Sequence, residues 1–372
     1  VTFRVTVPDD LTAVCNGQLT SEELLPENRK RFTWEVTYPI NNYNVTLNIA
    51  KYAHFYDKYE SNEGEILDLD YYVLEYNLEK AKKQFKQVEP TLSCFGEVFG
   101  EYPFWDDGFK LVETPYLGME HQSAIAYGNF YMPGYLGRHP KGFPFDYIII
   151  HETGHEWFGN SISCNDLSEM WIHESFTTYM EALYVECHQG YAKSIEYLNA
   201  FKPYIANKEP IIGPENVNWE DWEHGDHYYK GSWMLNTLRH TLDDESIWPD
   251  LLKGFYQKHK ISNVVSQDFF SFVNEFTGKN YDLFFQQYLR YTKIPKFEYY
   301  LEKKGKSLNV QYRLISDVDL VMAVRFGDPE AYQKLEAGPE WQSITFKGLK
   351  EEDFEVATDL YLIKSKKVKW VD

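Results

Sequence analysis

His151-Glu152-Thr153-Gly154-His155, followed by Trp171-Ile172-His173-Glu174, is the stretch from which the rest of the chain is read. Two histidines four apart on a helix leave from one face. A carboxylate separated from the second histidine by eighteen residues can return to them on an antiparallel neighbour. His151, His155 and Glu174 would then be three protein ligands to one Zn2+ per chain. The fourth tetrahedral position stays open to water, which is the catalytic rather than the structural arrangement. Glu152 lies three residues before His155, about 60° around the helix, so it can reach metal-bound water as a general base without being a ligand.

The flanking sequence predicts the helices this requires. Tyr147 to Phe158 carries Ile148, Ile149, Ile150, Trp157 and Phe158 and stops at Gly159-Asn160. Met170 to His188 forms a second helix, ended by Gly190. Glu181 follows Glu174 by seven residues and shares its face. It is either an acceptor for a ligand imidazole or a solvated carboxylate.

Composition narrows the class of partner. The 372 residues are too many for one ordinary core and suggest two or three domains. Thirty-seven basic against fifty-seven acidic side chains give a net charge of −20, which argues against nucleic acid and anionic membrane as partners. It suits substrates that carry positive charge. No apolar run approaches the ~20 residues that span a bilayer. Residue 1 begins directly in strand-like sequence with no secretion signal, so cytoplasmic and exported locations are both open. Cys15, Cys94, Cys164 and Cys187 form no C-x-x-C pair and are expected to be buried free thiols. Asn44-Val45-Thr46 is an N-glycosylation acceptor pattern, relevant only in a secretory eukaryotic source.

Periodicity divides the chain into three stretches. Residues 1–50 alternate with period two (Phe3, Val5, Val7; Phe32, Trp34, Val36, Tyr38; Tyr43, Val45, Leu47, Ile49) and read as β structure too small to stand alone. Residues 51–293 contain a strand-like stretch, a lysine-rich amphipathic helix near 79–88, the two metal helices and several later helices, with Ser266 and Asp282 as expected N-caps. From 294 to 372 the period returns to two in Leu308, Val310, Tyr312 and Leu314, then in Leu320, Met322, Val324 and Phe326, which predicts a small β-sandwich. The fold class is therefore α+β and multi-domain.

Two further groups bear on chemistry. Gly118, Met119, Glu120 and His121 precede a strand-like run from Ser123 to Gly128, placing Glu120 at the mouth of a hairpin or edge strand. Such an edge can hold an extended peptide while Glu120 pairs with a cation at its end. Taken alone, Glu120 reads as an ordinary solvated glutamate. Tyr228-Tyr229-Lys230-Gly231 opens a helix through Trp233, Leu235 and Leu238. A phenol there can donate to the oxyanion of a tetrahedral intermediate, or can simply pack.

Together, H-E-x-x-H with Glu174, the G-M-E turn upstream, Y-x-K-G downstream and the phrase His155-Glu156-Trp157-Phe158-Gly159-Asn160 resemble the gluzincin zinc aminopeptidase family over roughly residues 1–300. The resemblance implies the remnant of an N-terminal β-saddle, a thermolysin-like catalytic domain of mixed α/β and helical structure, and a following β-sandwich, in a chain lacking most of the N-terminal β-domain. It also implies that Glu120 recognises the α-ammonium of a peptide with a free N-terminus, and that Tyr228 is the transition-state donor. Zinc-activated water, with Glu152 as base, would then hydrolyse the first peptide bond. The family's turn usually reads G-x-M-E-N, whereas here Leu117 and His121 stand at its ends; His173 and Ser175 flank Glu174 where Asn and Gly are common. His121 is either a hydrogen-bonding replacement for Asn or a pH-sensitive element of the first substrate pocket. A zinc endopeptidase with an open site and a non-catalytic peptide-binding relative are the competing expectations.

Overall fold

A computed structural model describes residues 1–61 and 64–369. The fold mixes sheets and helices and groups into two units. One comprises Val1–Ser163, Met180–Tyr191 and Leu252–Val264; the other comprises Cys164–Tyr179, Ala192–Leu251 and Val265–Asp372.

The first unit opens with the predicted β region. Strands Thr2–Pro8, Arg29–Glu35 and Gln18–Leu25 form an antiparallel sheet with Arg29–Glu35 in the middle, and Thr12–Cys15 pairs with Leu47–Ala50. Their inward side chains Val7, Val14, Phe32 and Trp34 cluster with Tyr72 and Val112, and the Trp34 indole nitrogen donates to the Ala13 carbonyl. A four-stranded sheet follows, in the order Tyr52–Glu60, Ile66–Leu74, Phe109–Glu113, Ile125–Tyr127. The short last strand is where the Glu120 turn attaches.

Helix formation differs from expectation in instructive ways. The lysine-rich helix covers Leu78–Gln84, but after a 3-10 turn a second helix, Val88–Phe99, continues the path. Its Pro90 stands in the first turn, where a missing N–H costs no intrahelical bond. The helix that carries His151 is regular only over Tyr147–Gly154. Beyond it the chain keeps turning through wider bonds, Asn160 N–H to His155 O, Ser161 N–H to Glu156 O and Ile162 N–H to Trp157 O. Trp171–Gln189 is one continuous helix, close to the range predicted. Ser266 and Asp282 are each the first helical residue rather than the cap. Their side chains are engaged elsewhere: Ser266 Oγ accepts from the Trp171 indole, and Asp282 accepts from Asn274 and Asn280.

The cysteines correct the sequence reading. Cys94 and Cys187 form a disulfide that joins helix Val88–Phe99 to the end of helix Trp171–Gln189; Cys15 and Cys164 are the buried free thiols. Helical neighbours 93 residues apart leave no local spacing signal.

In the second unit, the chain after Pro295 builds two sheets. One orders Gln342–Lys347, Ser307–Ile315, Lys296–Lys304 and Lys364–Lys367; the other orders Gln333–Ala337, Met322–Gly327 and Glu355–Val356. Leu308, Val310, Tyr312 and Leu314 are buried at alternate positions as the period-two pattern requires. Phe297, from the first sheet, meets Phe326, from the second, at 5.0 Å between ring centroids.

Candidate active site

Asp146 starts the helix that carries His151 by accepting the Ile148 N–H, and its carboxylate also takes Tyr127, Gln84 and Asn129. A capped and fully buried helix start gives His151 a fixed origin. His151 and His155 stand 4.8 Å apart between ring centroids, as the four-residue spacing demands. Each imidazole is held through Nδ1: His151 lies 2.8 Å from Glu181 Oε1, and His155 2.9 Å from the Phe158 carbonyl oxygen. Both partners are acceptors, so both Nδ1 atoms carry the hydrogen and both Nε2 atoms present the lone pair a metal needs. Tyr135 also donates to Glu181 Oε1 at 2.8 Å.

Glu174 sits in the first turn of the helix that carries Glu181 two turns later. Because Glu181 touches His151 on that same helical face, Glu174 is delivered beside the histidines. The ligand atoms of His151, His155 and Glu174 lie within 4.8 Å of one another, and all three residues are buried. Two imidazoles and one carboxylate, with their outer nitrogens already hydrogen-bonded, fit the donor set of a catalytic zinc.

The Glu120 turn meets the same place. Met119 and Ala126 exchange both backbone bonds, at 3.2 and 3.0 Å, so the chain reverses between them. Glu120 is 4% exposed. Its carboxylate, that of Glu152 and the His155 ring lie within 4.8 Å of one another. Gly118 makes this approach possible, since a Cβ there would come within 2.5 Å of both Glu152 Oε1 and Ile148 Cγ2. His121 follows with its Nδ1 buried and without a hydrogen-bond partner among the described residues. Burial pulls its pKa below the usual value, while Glu120 and the Asn44 backbone oppose the shift.

In the second unit, Tyr228 occupies the first turn of helix Asp226–Thr241. Asp226 secures that turn by accepting the Ala206 and Asn207 N–H groups. Lys230 donates to the carbonyls of Tyr291 and Thr292, and burial pulls its pKa down to about 8. Ser175, next to Glu174, donates to the His227 carbonyl oxygen at 2.7 Å. A Cβ on Gly231 would lie 1.7 Å from Ser175 Oγ, so the serine is accommodated by a glycine on the facing helix. His173 Nε2 accepts the Cys164 N–H at 2.9 Å. Both departures beside Glu174 therefore serve as backbone anchors.

Sequence reading overlooked residues that brace the Glu120 turn. Asn160, read only as a helix stop, donates to the Glu120 carbonyl oxygen at 2.8 Å and accepts from the Asn44 amide at 2.7 Å. Asn44 is fully buried, so its amide is not presented for glycosylation. Glu156 accepts the Ser123 N–H, and Tyr43 donates to Glu120 Oε1 at 2.9 Å. The one available signal was the polar run Asn41-Asn42-Tyr43-Asn44 between strands.

Among the described residues, no helix is long and apolar enough to cross a membrane. Residues 118–288 match the peptidase family M1 domain. Aminopeptidase B of Mus musculus is 26% identical over 288 residues, covering 73% of this chain and 41% of that protein. Aminopeptidase N of Lactococcus lactis subsp. lactis is 27% identical over 165 residues, covering 40% of this chain and 19% of its own length. The chain thus spans less than half the length of these curated relatives. Among solved structures, Legionella pneumophila aminopeptidase A in complex with aspartic acid superposes with a TM-score of 0.83 at 16% identity, covering 100% of this chain and 45% of that one. The Deinococcus radiodurans M1 zinc metallopeptidase bound to a Tyr-Ser-Ala substrate gives 0.62 at 17% identity, covering 79% of this chain and 64% of its own. These likenesses concern the fold.

Proposed function

We propose that this chain, whose residues 118–288 match the peptidase family M1 domain, is a gluzincin zinc aminopeptidase that removes the N-terminal residue from peptides with a free α-amine, using one zinc ion. The observation that carries the proposal is the proximity of the Glu120, Glu152 and His155 ligand atoms, all within 4.8 Å of one another. A carboxylate so close to the base and a metal ligand can pair with an α-ammonium beside the scissile bond, a charge that an internal segment of a peptide does not carry.

His151, His155 and Glu174 would hold the zinc, which when bound supplies Lewis-acid polarisation of the scissile carbonyl and acidifies water. Glu152 takes the proton of the attacking water and passes it to the leaving amine. The Tyr228 hydroxyl donates to the oxyanion as it develops. Glu120 pairs with the α-ammonium and so sets which bond is presented. Glu181 orients His151 and keeps its Nδ1 protonated, leaving Nε2 as the basic atom.

In the same reading, residues 1–50 belong to a β-saddle, 51–293 form a thermolysin-like peptidase domain, and 294–372 form a β-sandwich. The small antiparallel sheets at the start and the ring contacts between the two last sheets support this division.

The test pairs an aminoacyl arylamide with its N-acetylated form on wild type and Glu120→Ala, with zinc measured by elemental analysis. The expected result is selective loss on the free amine with zinc retained. Equal loss on both substrates would remove the exopeptidase reading.

A further inference from the structure

Glu181 Oε1 carries two hydrogen bonds. His151 Nδ1 lies 2.8 Å from it, and the Tyr135 hydroxyl donates to the same oxygen at 2.8 Å. The terminal torsion of a glutamate is broad and roughly two-fold, so the imidazole alone would let the carboxylate swing about its own axis and carry the ring with it. Two donors arriving from different parts of the chain remove that freedom. Glu181 is 2% exposed, and a carboxylate so far from water depends on such donors to keep its charge. We propose that Tyr135 is a positioning residue of the metal site: by fixing Glu181 it fixes His151 Nε2, and so sets how tightly the site holds zinc. This rests on the zinc reading of His151, His155 and Glu174 above.

The loop that carries Tyr135 is built to place one hydroxyl. It lies in the first unit together with His151 and Glu181. Asn129, fully buried, shares its amide hydrogens among the Met132 and Gly134 carbonyl oxygens and Asp146 Oδ1, at 2.8 Å each, and accepts the Leu136 N–H at 2.7 Å. Asp146 also caps the helix that carries His151, so loop and helix start share one anchor. Gly134 adds a second. Its N–H donates to the Phe145 carbonyl oxygen at 2.7 Å, and its φ of +64°, with Arg138 O 2.1 Å from where a Cβ would stand, admits only glycine. Tyr135 and Arg138 then exchange both backbone bonds, at 3.0 and 2.9 Å, closing a turn. The Tyr135 ring packs edge to face on Tyr147, the first residue of the His151 helix, with centroids 5.1 Å apart. Phe130, Tyr131 and Leu136 hold left-handed backbone, with φ of 52°, 59° and 49°, a costly conformation for residues with a Cβ that persists only where the surroundings over-determine it. A loop that merely covered the surface would need neither the buried asparagine nor the strain.

The experiment reads zinc affinity rather than turnover. Wild type, Tyr135→Phe, Glu181→Ala and the double variant are each titrated with Zn2+ against a chelator of known affinity, and circular dichroism is recorded on the metal-free proteins. Tyr135→Phe keeps the ring against Tyr147 and removes only the hydroxyl. Loss of the hydrogen-bond partner behind a metal-bound imidazole lowers affinity about 10- to 100-fold. Acting one bond farther out, Tyr135→Phe should weaken zinc about 10-fold, with the metal-free spectrum unchanged. A residue that works through Glu181 has nothing to position once Glu181 is gone, so the same change in the Glu181→Ala background should shift the affinity by less than about 2-fold. Unaltered zinc affinity in the single variant overturns the proposal while the zinc site stands. Equal weakening in both backgrounds, or a loss of secondary structure in the metal-free single variant, also overturns it and makes Tyr135 a packing residue. A wild type that binds no zinc overturns the metal reading itself, and the role of Tyr135 with it.

Discussion

His151 Nδ1 lies 2.8 Å from Glu181 Oε1, and Glu181 shares one helical face with Glu174. The helix that brings the distant carboxylate therefore also orients the first imidazole, and the two roles cannot drift apart. Glu181→Gln keeps the shape but replaces the charged acceptor. It should lower zinc affinity about 10- to 100-fold, read by competition with a chelator of known affinity. Unchanged competition would make Glu181 a structural residue only.

Glu152→Gln should leave bound zinc and the folded state intact while reducing hydrolysis by about 100- to 10,000-fold, because it removes proton transfer and nothing that holds the metal. Residual rate near wild type in a zinc-replete protein would assign the base elsewhere.

Tyr228→Phe separates the transition state from the ground state. A donor used only on the oxyanion affects kcat, not substrate affinity, so kcat should fall about 100- to 1000-fold with KM nearly constant. A rise in KM with kcat preserved would instead place Tyr228 in substrate binding.

What the sequence disclosed is what helical spacing encodes locally. The pair His151 and His155, Glu152 between them and the shared face of Glu174 and Glu181 follow from 3.6 residues per turn. The period-two runs at Leu308–Leu314 and Phe32–Trp34 became strands with those side chains buried. Contacts made by chain reversal carry no such period. Tyr43 meets Glu120 across 77 residues, and Cys94 meets Cys187 across 93. Ser266 has the composition of a cap, yet its hydroxyl is taken by Trp171, 95 residues away.

The Cys94–Cys187 bond closes a long loop and ties down the end of the helix that carries Glu174. Removing it with the double change Cys94→Ala and Cys187→Ala should cost about 2–4 kcal/mol and lower Tm by several degrees. Addition of a reductant should shift the wild type toward the double variant and leave the variant itself unmoved. Equal Tm values for reduced and oxidised wild type would show that the bond carries no stability.

Acid sensitivity should have a local origin in the second unit. Glu245 is pulled down to about 2, against the opposing effect of its burial, by hydrogen bonds and charge from His240 and Lys334. The Arg325 guanidinium also lies 2.6 Å from Glu245 Oε1. A carboxyl whose folded pKa lies below its unfolded value of 4.5 contributes stability that is fully present above pH 4.5 and lost as pH falls toward 2. At 22% side-chain exposure solvent screens part of it, so the contribution is on the order of 1–3 kcal/mol. Glu245→Gln should lower Tm at pH 7 and flatten the fall of Tm between pH 4.5 and the lowest pH at which the protein stays folded. The sign of the neutral-pH effect follows from the cluster, because the glutamine removes the one carboxylate that both Arg325 and Lys334 contact. A variant whose Tm still falls with pH as steeply as wild type would place the acid-labile group elsewhere.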